Sequence, residues 1–174
     1  MGENDLIRRC LEGERKAQKE LYDQYASKMY AVCLRYMSKS EDAQDILQDG
    51  FIKIFKNLDR FRGDGSFEGW MRRIFVNTAI EQLRKKKLDI SISEKEENIE
   101  VKAPTPIDNL NQKDLLRIIK ELSPGYRTVF NLYVVEGYSH KEIADIMNIS
   151  EGTSKSQLAR ARVILQEKIK ALRQ

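Results

Sequence analysis

Residues 139–165 read SHKEIADIMNISEGTSKSQLARARVIL, and their local chemistry sets two helices around a tight turn. Ser139 with Glu142 three residues on forms a capping box, after which Ile143, Ile146 and Met147 recur at helical spacing. Asn148 suits a turn, and Ser150 is placed to accept the free amide hydrogens of a second helix beginning at Glu151. Projected at about 100° per residue, that second helix turns Leu158, Ala161, Leu165, Ile169 and Leu172 toward a core. Ser154 falls on the same inward side. Thr153, Ser156, Gln157 and Arg160 fall opposite, flanked by Lys155 and Arg162.

An outer face of hydroxyl, amide and basic side chains can hydrogen-bond base edges and neutralise phosphate charge. A helix-turn-helix presents such a face to DNA. The same pattern also suits an ordinary solvated amphipathic helix, so the motif alone leaves both readings open.

Composition narrows the class. The 174 residues are 33% charged and 41% hydrophobic, as in a soluble globular protein of one domain or two small ones. No apolar run approaches the about 20 residues that span a bilayer, and Met1 to Asp5 carry no basic and apolar signal segment, so no membrane insertion and a cytoplasmic location are expected. Cys10 and Cys33 lack the spacing of a zinc site or a disulfide framework and read as buried or incidental thiols. The net charge of +4 is unevenly spread: +4 over residues 1–88, −4 over 89–112 and +4 over 113–174. Two basic modules around an acidic connector suit two anchors on a polyanion, or simply a charged surface with a disordered linker.

The rest of the chain is also helical in pattern. Leu6, Ile7 and Leu11 mark a short helix that stops near Gly13, and Leu21 to Leu34 mark a long one. After Ser40, read as an N-cap, the set Ala43, Ile46, Leu47, Phe51, Ile54, Phe55 and Leu58 keeps the helical period. The loop Arg62-Gly63-Asp64-Gly65 ends at Ser66, a second expected cap, before a helix with Met71, Ile74, Phe75, Thr78 and Leu83 inward. Residues 89–111 show little periodicity, being rich in Glu and ending in Ala103-Pro104-Thr105-Pro106, which predicts a linker. Ser123-Pro124 restarts a helix carrying Val129, Leu132, Tyr133 and Val134 to Gly137. With no strand pattern, the expected fold is all-α. Two small helical domains, 1–88 and 113–174, are joined by an acidic flexible linker over 89–112, the second domain holding the helix-turn-helix.

Two further faces stand out. Asp45, Gln48 and Asp49 lie three and four residues apart on one side of their helix, where an acidic, amide-bearing surface meets either a partner or only water. Trp70, Arg73, Asn77 and Arg84 share a side of the next long helix; an aromatic beside Arg and Asn can stack on an unpaired base, and Trp70 can equally be a lid on the domain core. Arg84 to Lys87 adds a phosphate-attracting cluster, or a solvated helix end. No catalytic arrangement emerges: His140, the single histidine, has no nucleophile arranged beside it and reads as a surface helix residue, and Gly63-Asp64-Gly65 lacks the fingerprint of a phosphate loop. No metal, no cofactor and no enzyme activity are expected.

Taken in order, these residues resemble the bacterial RNA polymerase sigma factors of the compact extracytoplasmic-function (ECF) group of the sigma-70 family. The run Asp45-Ile46-Leu47-Gln48-Asp49-Gly50-Phe51-Ile52-Lys53 resembles the helix that grips the clamp helices of the polymerase largest subunit. Phe61 to Phe67, then Trp70, Ile74 and Val76-Asn77-Thr78-Ala79, is similar to the family's minus-10 loop and helix, and Ser139 to Leu158 to its minus-35 helix-turn-helix. The resemblance implies core-polymerase binding through Asp45, Gln48, Asp49 and Phe51, with a further contact to the polymerase flap. It implies capture of single-stranded minus-10 DNA by Phe61, Arg62, Trp70, Arg73, Asn77 and Arg84, with an unstacked base seated near the loop after Phe61. It implies reading of minus-35 duplex by Thr153, Lys155, Ser156, Gln157, Arg160 and Arg162, and an anti-sigma factor as a further partner. The acidic linker would lie in the channel that later carries RNA. The chain departs from the pattern at Ser154, where an aliphatic residue is usual, and at Gln157, in place of a common arginine. A regulator that binds duplex DNA without polymerase is the alternative from a different class.

Overall fold

The computed structural model of the chain describes residues 2–86 and 111–174; the acidic stretch read as a linker lies outside them except for its last two residues. Every regular element among the described residues is helical, and the chain divides into two compact units, Met1–Gln82 and Leu83–Gln174.

The first unit is built from α1 (Glu3–Leu11), α2 (Arg15–Tyr36), α3 (Ser40–Lys56), a 3₁₀ turn (Leu58–Arg60) and, as far as Gln82, α4 (Phe67–Lys85). Gly13, at φ 81°, makes the turn between α1 and α2. Arg9 straps that turn by donating to both carboxylate oxygens of Glu14 at 2.8 and 2.6 Å, and the Tyr25 hydroxyl donates to Glu3 at 2.7 Å. Ser66 caps α4 as expected, its Oγ accepting from the Gly69 amide at 2.9 Å. Ser40 does not cap α3. It is the first helical residue, Lys39 sits at the cap with no side-chain bond, and Glu41 and Asp42 in the first turn complement the helix dipole instead. Both cysteines are buried in this unit, and burial pushes the Cys33 thiol up to about 12.

Gly50 sets how closely α3 approaches α4. A Cβ there would lie 2.1 Å from Cε1 of Phe75, so the Phe75 ring occupies the space that any other residue would fill. Phe75 is fully buried and meets Phe51 edge-on, with 5.3 Å between centroids. Gly50→Ala is therefore expected to lower the unfolding free energy of this unit by about 1–2 kcal/mol, because overpacking at the upper end of its usual cost of about 3 kcal/mol exceeds the roughly 1 kcal/mol that alanine gains in helix propensity. Denaturant unfolding checks it; a variant as stable as the parent would contradict the close approach.

The second unit contains α5 (Gln112–Lys120), α6 (Pro124–Phe130), α7 (His140–Met147) and α8 (Glu151–Leu172). Asn111 caps α5 through the Lys113 amide at 3.2 Å. Pro124 holds the first helical position of α6 as the sequence predicts, though Ser123 makes no side-chain cap bond. The helix that was expected to run evenly to Gly137 instead widens into one π turn over Asn131–Val135, closed by the Glu136 amide on the Asn131 carbonyl at 3.0 Å. Gly137, at φ 76°, ends it. The core gathers Ile118, Ile119 and Leu122 against Ala161, Leu165 and Ile169. Leu172, projected inward, is 46% exposed in the last turn of α8, beyond the reach of that cluster.

Candidate nucleic-acid and protein interfaces

On α3 the structure leaves Asp45, Gln48 and Asp49 exposed together, while Ala43, Ile46, Phe51 and Ile54 of the same helix are buried and Leu47 and Phe55 are half-buried. Gln48 also borders a groove of about 380 Å³ between α2 and α3, lined with Tyr22, Tyr30, Gln44 and Leu47. Phe51 is different. At 4% exposure it packs on Tyr22 and Phe75 and supports this surface from beneath instead of forming part of it. The residue that sequence reasoning missed is its neighbour Ile52, half exposed on the same side as Asp45 and Asp49. Its signal was present, since an isoleucine outside the helical stripe has no core to enter.

The loop after the 3₁₀ turn and the start of α4 form an aromatic cluster. Phe61 lies 5.1 Å from Phe67 and 5.5 Å from Trp70, and Trp70 stacks on Phe67 at 5.6 Å with 20° between planes. Trp70 is half-buried, so its ring both covers the buried Phe67 and retains surface toward solvent. Arg62 is exposed in a loop that Gly63 and Gly65 turn through left-handed backbone, at φ 79° and 92°. Farther along α4, Arg73, Asn77 and Arg84 are exposed on the Trp70 side. Glu81 lies on that side too, and Lys53 of α3 neutralises it at 2.7 Å while also reaching Thr78 at 3.3 Å. The surface is thus aromatic and amide-bearing at one end and cationic along its length, a chemistry suited to stacking a base and holding a phosphate backbone.

In the second unit the helix-turn-helix follows its sequence closely. Ser139 and Glu142 complete a reciprocal capping box, with Ser139 Oγ accepting from the Glu142 amide at 3.1 Å and the Glu142 carboxylate accepting from the Ser139 amide at 2.7 Å. Asn148 turns the chain at φ 56°, and Ser150 accepts from the Thr153 amide at 3.0 Å. The outer face of α8 is rotated from the projection. Lys155, Ser156 and Arg162 are exposed, Thr153 and Arg160 are half-buried, and Gln157 is buried at 6% exposure. The leucine stripe gave one direction of packing, but α8 rests on α6 and α7 together, so its buried arc is wider and takes in the Gln157 flank. The exposed strip runs through Gly152, Lys155, Ser156 and Arg162, and the Ser156 hydroxyl donates back to the Gly152 carbonyl at 3.0 Å.

His140 is not a plain surface residue. Its ring stacks on Tyr133 of the π turn at 4.5 Å, and its Nδ1 lies 2.8 Å from Oγ of Ser154, which is fully buried on α8. Burial, then the nearby Lys155 and Arg162 charges, hold its pKa below the usual histidine range, against an opposing pull from Glu151.

Two family profiles match this chain in order: "Sigma-70 region 2" over residues 21–88 and "Sigma-70, region 4" over residues 112–165. Those matches define a sigma factor of two helical regions. The chain is 33% identical over 180 aligned positions to the ECF RNA polymerase sigma-E factor of Haemophilus influenzae, covering 96% of this chain and 95% of the relative. It is 31% identical to the ECF RNA polymerase sigma factor SigW of Bacillus subtilis, covering 95% and 96%. Among solved structures it is similar to the sigma factor RpoE of Bartonella quintana, crystallised with the anti-sigma factor NepR, at 27% identity, TM-score 0.55 and coverage of 87% and 96%. This chain belongs to the ECF sigma factors of RNA polymerase. As such it binds RNA polymerase and recognises promoters. None of its described helices is long and apolar enough to cross a membrane.

Proposed function

We propose that the three faces divide the work of a non-catalytic initiation subunit in the cytoplasm. The exposed Asp45, Gln48, Asp49 and Ile52 meet the polymerase clamp helices, with Phe51 holding that helix surface in place. Phe61, Arg62, Trp70, Arg73, Asn77 and Arg84 take the melted minus-10 strand, and Lys155, Ser156 and Arg162 meet the minus-35 duplex. Thr153 and Arg160 act from its edge, and Gln157 acts from within the fold. The polymerase supplies the phosphoryl chemistry, and its flap offers a second contact for the C-terminal unit. The observation that carries this reading is the coexistence of separate polar faces on two units that match regions 2 and 4 in chain order. An anti-sigma factor is the fitting inhibitor, since the similar Bartonella quintana sigma factor was crystallised with one.

The polymerase face gives the direct test. Alanine at both Asp45 and Gln48 is expected to weaken binding to purified core by about tenfold or more while leaving the melting temperature in place, because both side chains are exposed. Unchanged affinity in a pull-down titration would refute the assignment.

A further inference from the structure

We propose that His140 and Ser154 form a positioning pair that fixes the roll of the DNA-reading helix, and that this pair sets base preference at the minus-35 element without either residue touching DNA. The inference rests on the promoter-reading role assigned to α8 above.

Ser154 stands in the first turn of α8, between the reading residues Thr153 and Lys155, and is 0% exposed. A buried hydroxyl is costly unless bonded, and a hydrogen bond has direction where apolar packing has none. Its partner is held just as firmly. His140 is the first residue of α7, directly after the capping box, and its ring lies nearly parallel to Tyr133 at 20°. Tyr133 is presented by the π turn, whose extra residue per turn displaces the side chains that follow it. Arg162, two turns farther along α8, returns to the same ring with its guanidinium carbon 5.9 Å from the centroid. The π turn, α7 and α8 are therefore clasped at two points, one on each side of the exposed Lys155 and Ser156.

Such a clasp matters because reading tolerates little roll. With side-chain ends about 5–6 Å from the helix axis, a roll of about 10° moves them by about 1 Å. That displacement is enough to spoil a paired hydrogen bond to a base edge, while a flexible lysine or arginine still finds its phosphate. Loss of the pair should thus relax sequence preference more than it lowers overall binding.

The test is run-off transcription by holoenzyme assembled from core polymerase and full-length protein, over a promoter library randomised at both elements. His140→Phe keeps the ring on Tyr133 and removes the bond to Ser154; discrimination at minus-35 positions is expected to fall about threefold to tenfold, the range that a lost buried hydrogen bond supports, with minus-10 preference unchanged. His140→Asn, whose amide stands near the place of Nδ1, should restore preference, whereas His140→Phe combined with Ser154→Val, which replaces the polar pair by an apolar one without direction, should recover stability and leave preference relaxed. Should His140→Phe fail to fold, Ser154→Ala removes the same bond with a good helix former. Parental minus-35 preference in the folded variants would overturn the proposal, as would a proportional loss at both elements. A parent protein that selects no minus-35 sequence at all would instead overturn the promoter-reading role beneath it.

Discussion

Arg127→Ala is expected to cost the C-terminal unit about 2–4 kcal/mol, a large share of what holds a small domain together. Arg127 is 1% exposed on α6, among the bulkiest fully buried side chains of the described residues. Its Nη1 donates to the Lys120 carbonyl at 2.9 Å, at the end of α5, where helix carbonyls have no partner within their own helix. Alanine would leave both a cavity and an orphaned carbonyl. Burial also works against the charge, holding the guanidinium pKa below its ordinary value. Arg127→Met, which fills most of the volume without a charge to desolvate, should therefore lose less than half as much. Denaturant unfolding of the full chain gives both values. An alanine variant within about 0.5 kcal/mol of the parent, the usual range for an ordinary surface substitution, would show that the buried arginine makes no net contribution.

Alanine at both Lys155 and Arg162 is expected to weaken binding to minus-35 duplex about tenfold at moderate salt and to reduce the slope of log affinity against log salt by about 1.8, two phosphate contacts' worth. These are the cations that the exposed strip of α8 presents. Arg162→Lys separates the two roles of that residue: it preserves the charge and the salt slope but gives up the planar group resting over Tyr133. Gln157→Ala should act differently, through stability, because its side chain is already inside the fold. Titrations at several salt concentrations decide the matter, and an unaltered slope in the double variant would remove both residues from the backbone contact.

Helix starts were the most legible part of this chain, because a cap is a local bargain between one hydroxyl and one amide. Ser66, Ser139 and Ser150 behave as their spacing implies, whereas Ser40 and Ser123, read the same way, make no cap bond. The π turn left no such mark. Inserting one residue into a helical turn shifts the register without requiring any residue type, so Tyr133 and Val134 read as more of the same helix. Gly50 was equally silent, since a glycine inside an apolar repeat records that something fits there and not that it is Phe75. The misplacement of Gln157 has a plainer cause: a stripe of leucines shows where a helix is buried deepest, not how many neighbours it has. The His140 bond was within reach. Ser154 projected inward, and an inward hydroxyl demands a donor or acceptor from a nearby element.

The two cysteines have a practical consequence for all of these measurements. Both are shielded, and the Cys33 thiol, pushed up to about 12, holds almost no thiolate at neutral pH. A single cysteine introduced on the exposed strip of α8, or on the outer side of α3, would then be the one readily alkylated by a fluorophore. The native chain, with neither of its own thiols removed, thus serves as its own blank for placing one dye at a chosen surface and watching polymerase or promoter arrive.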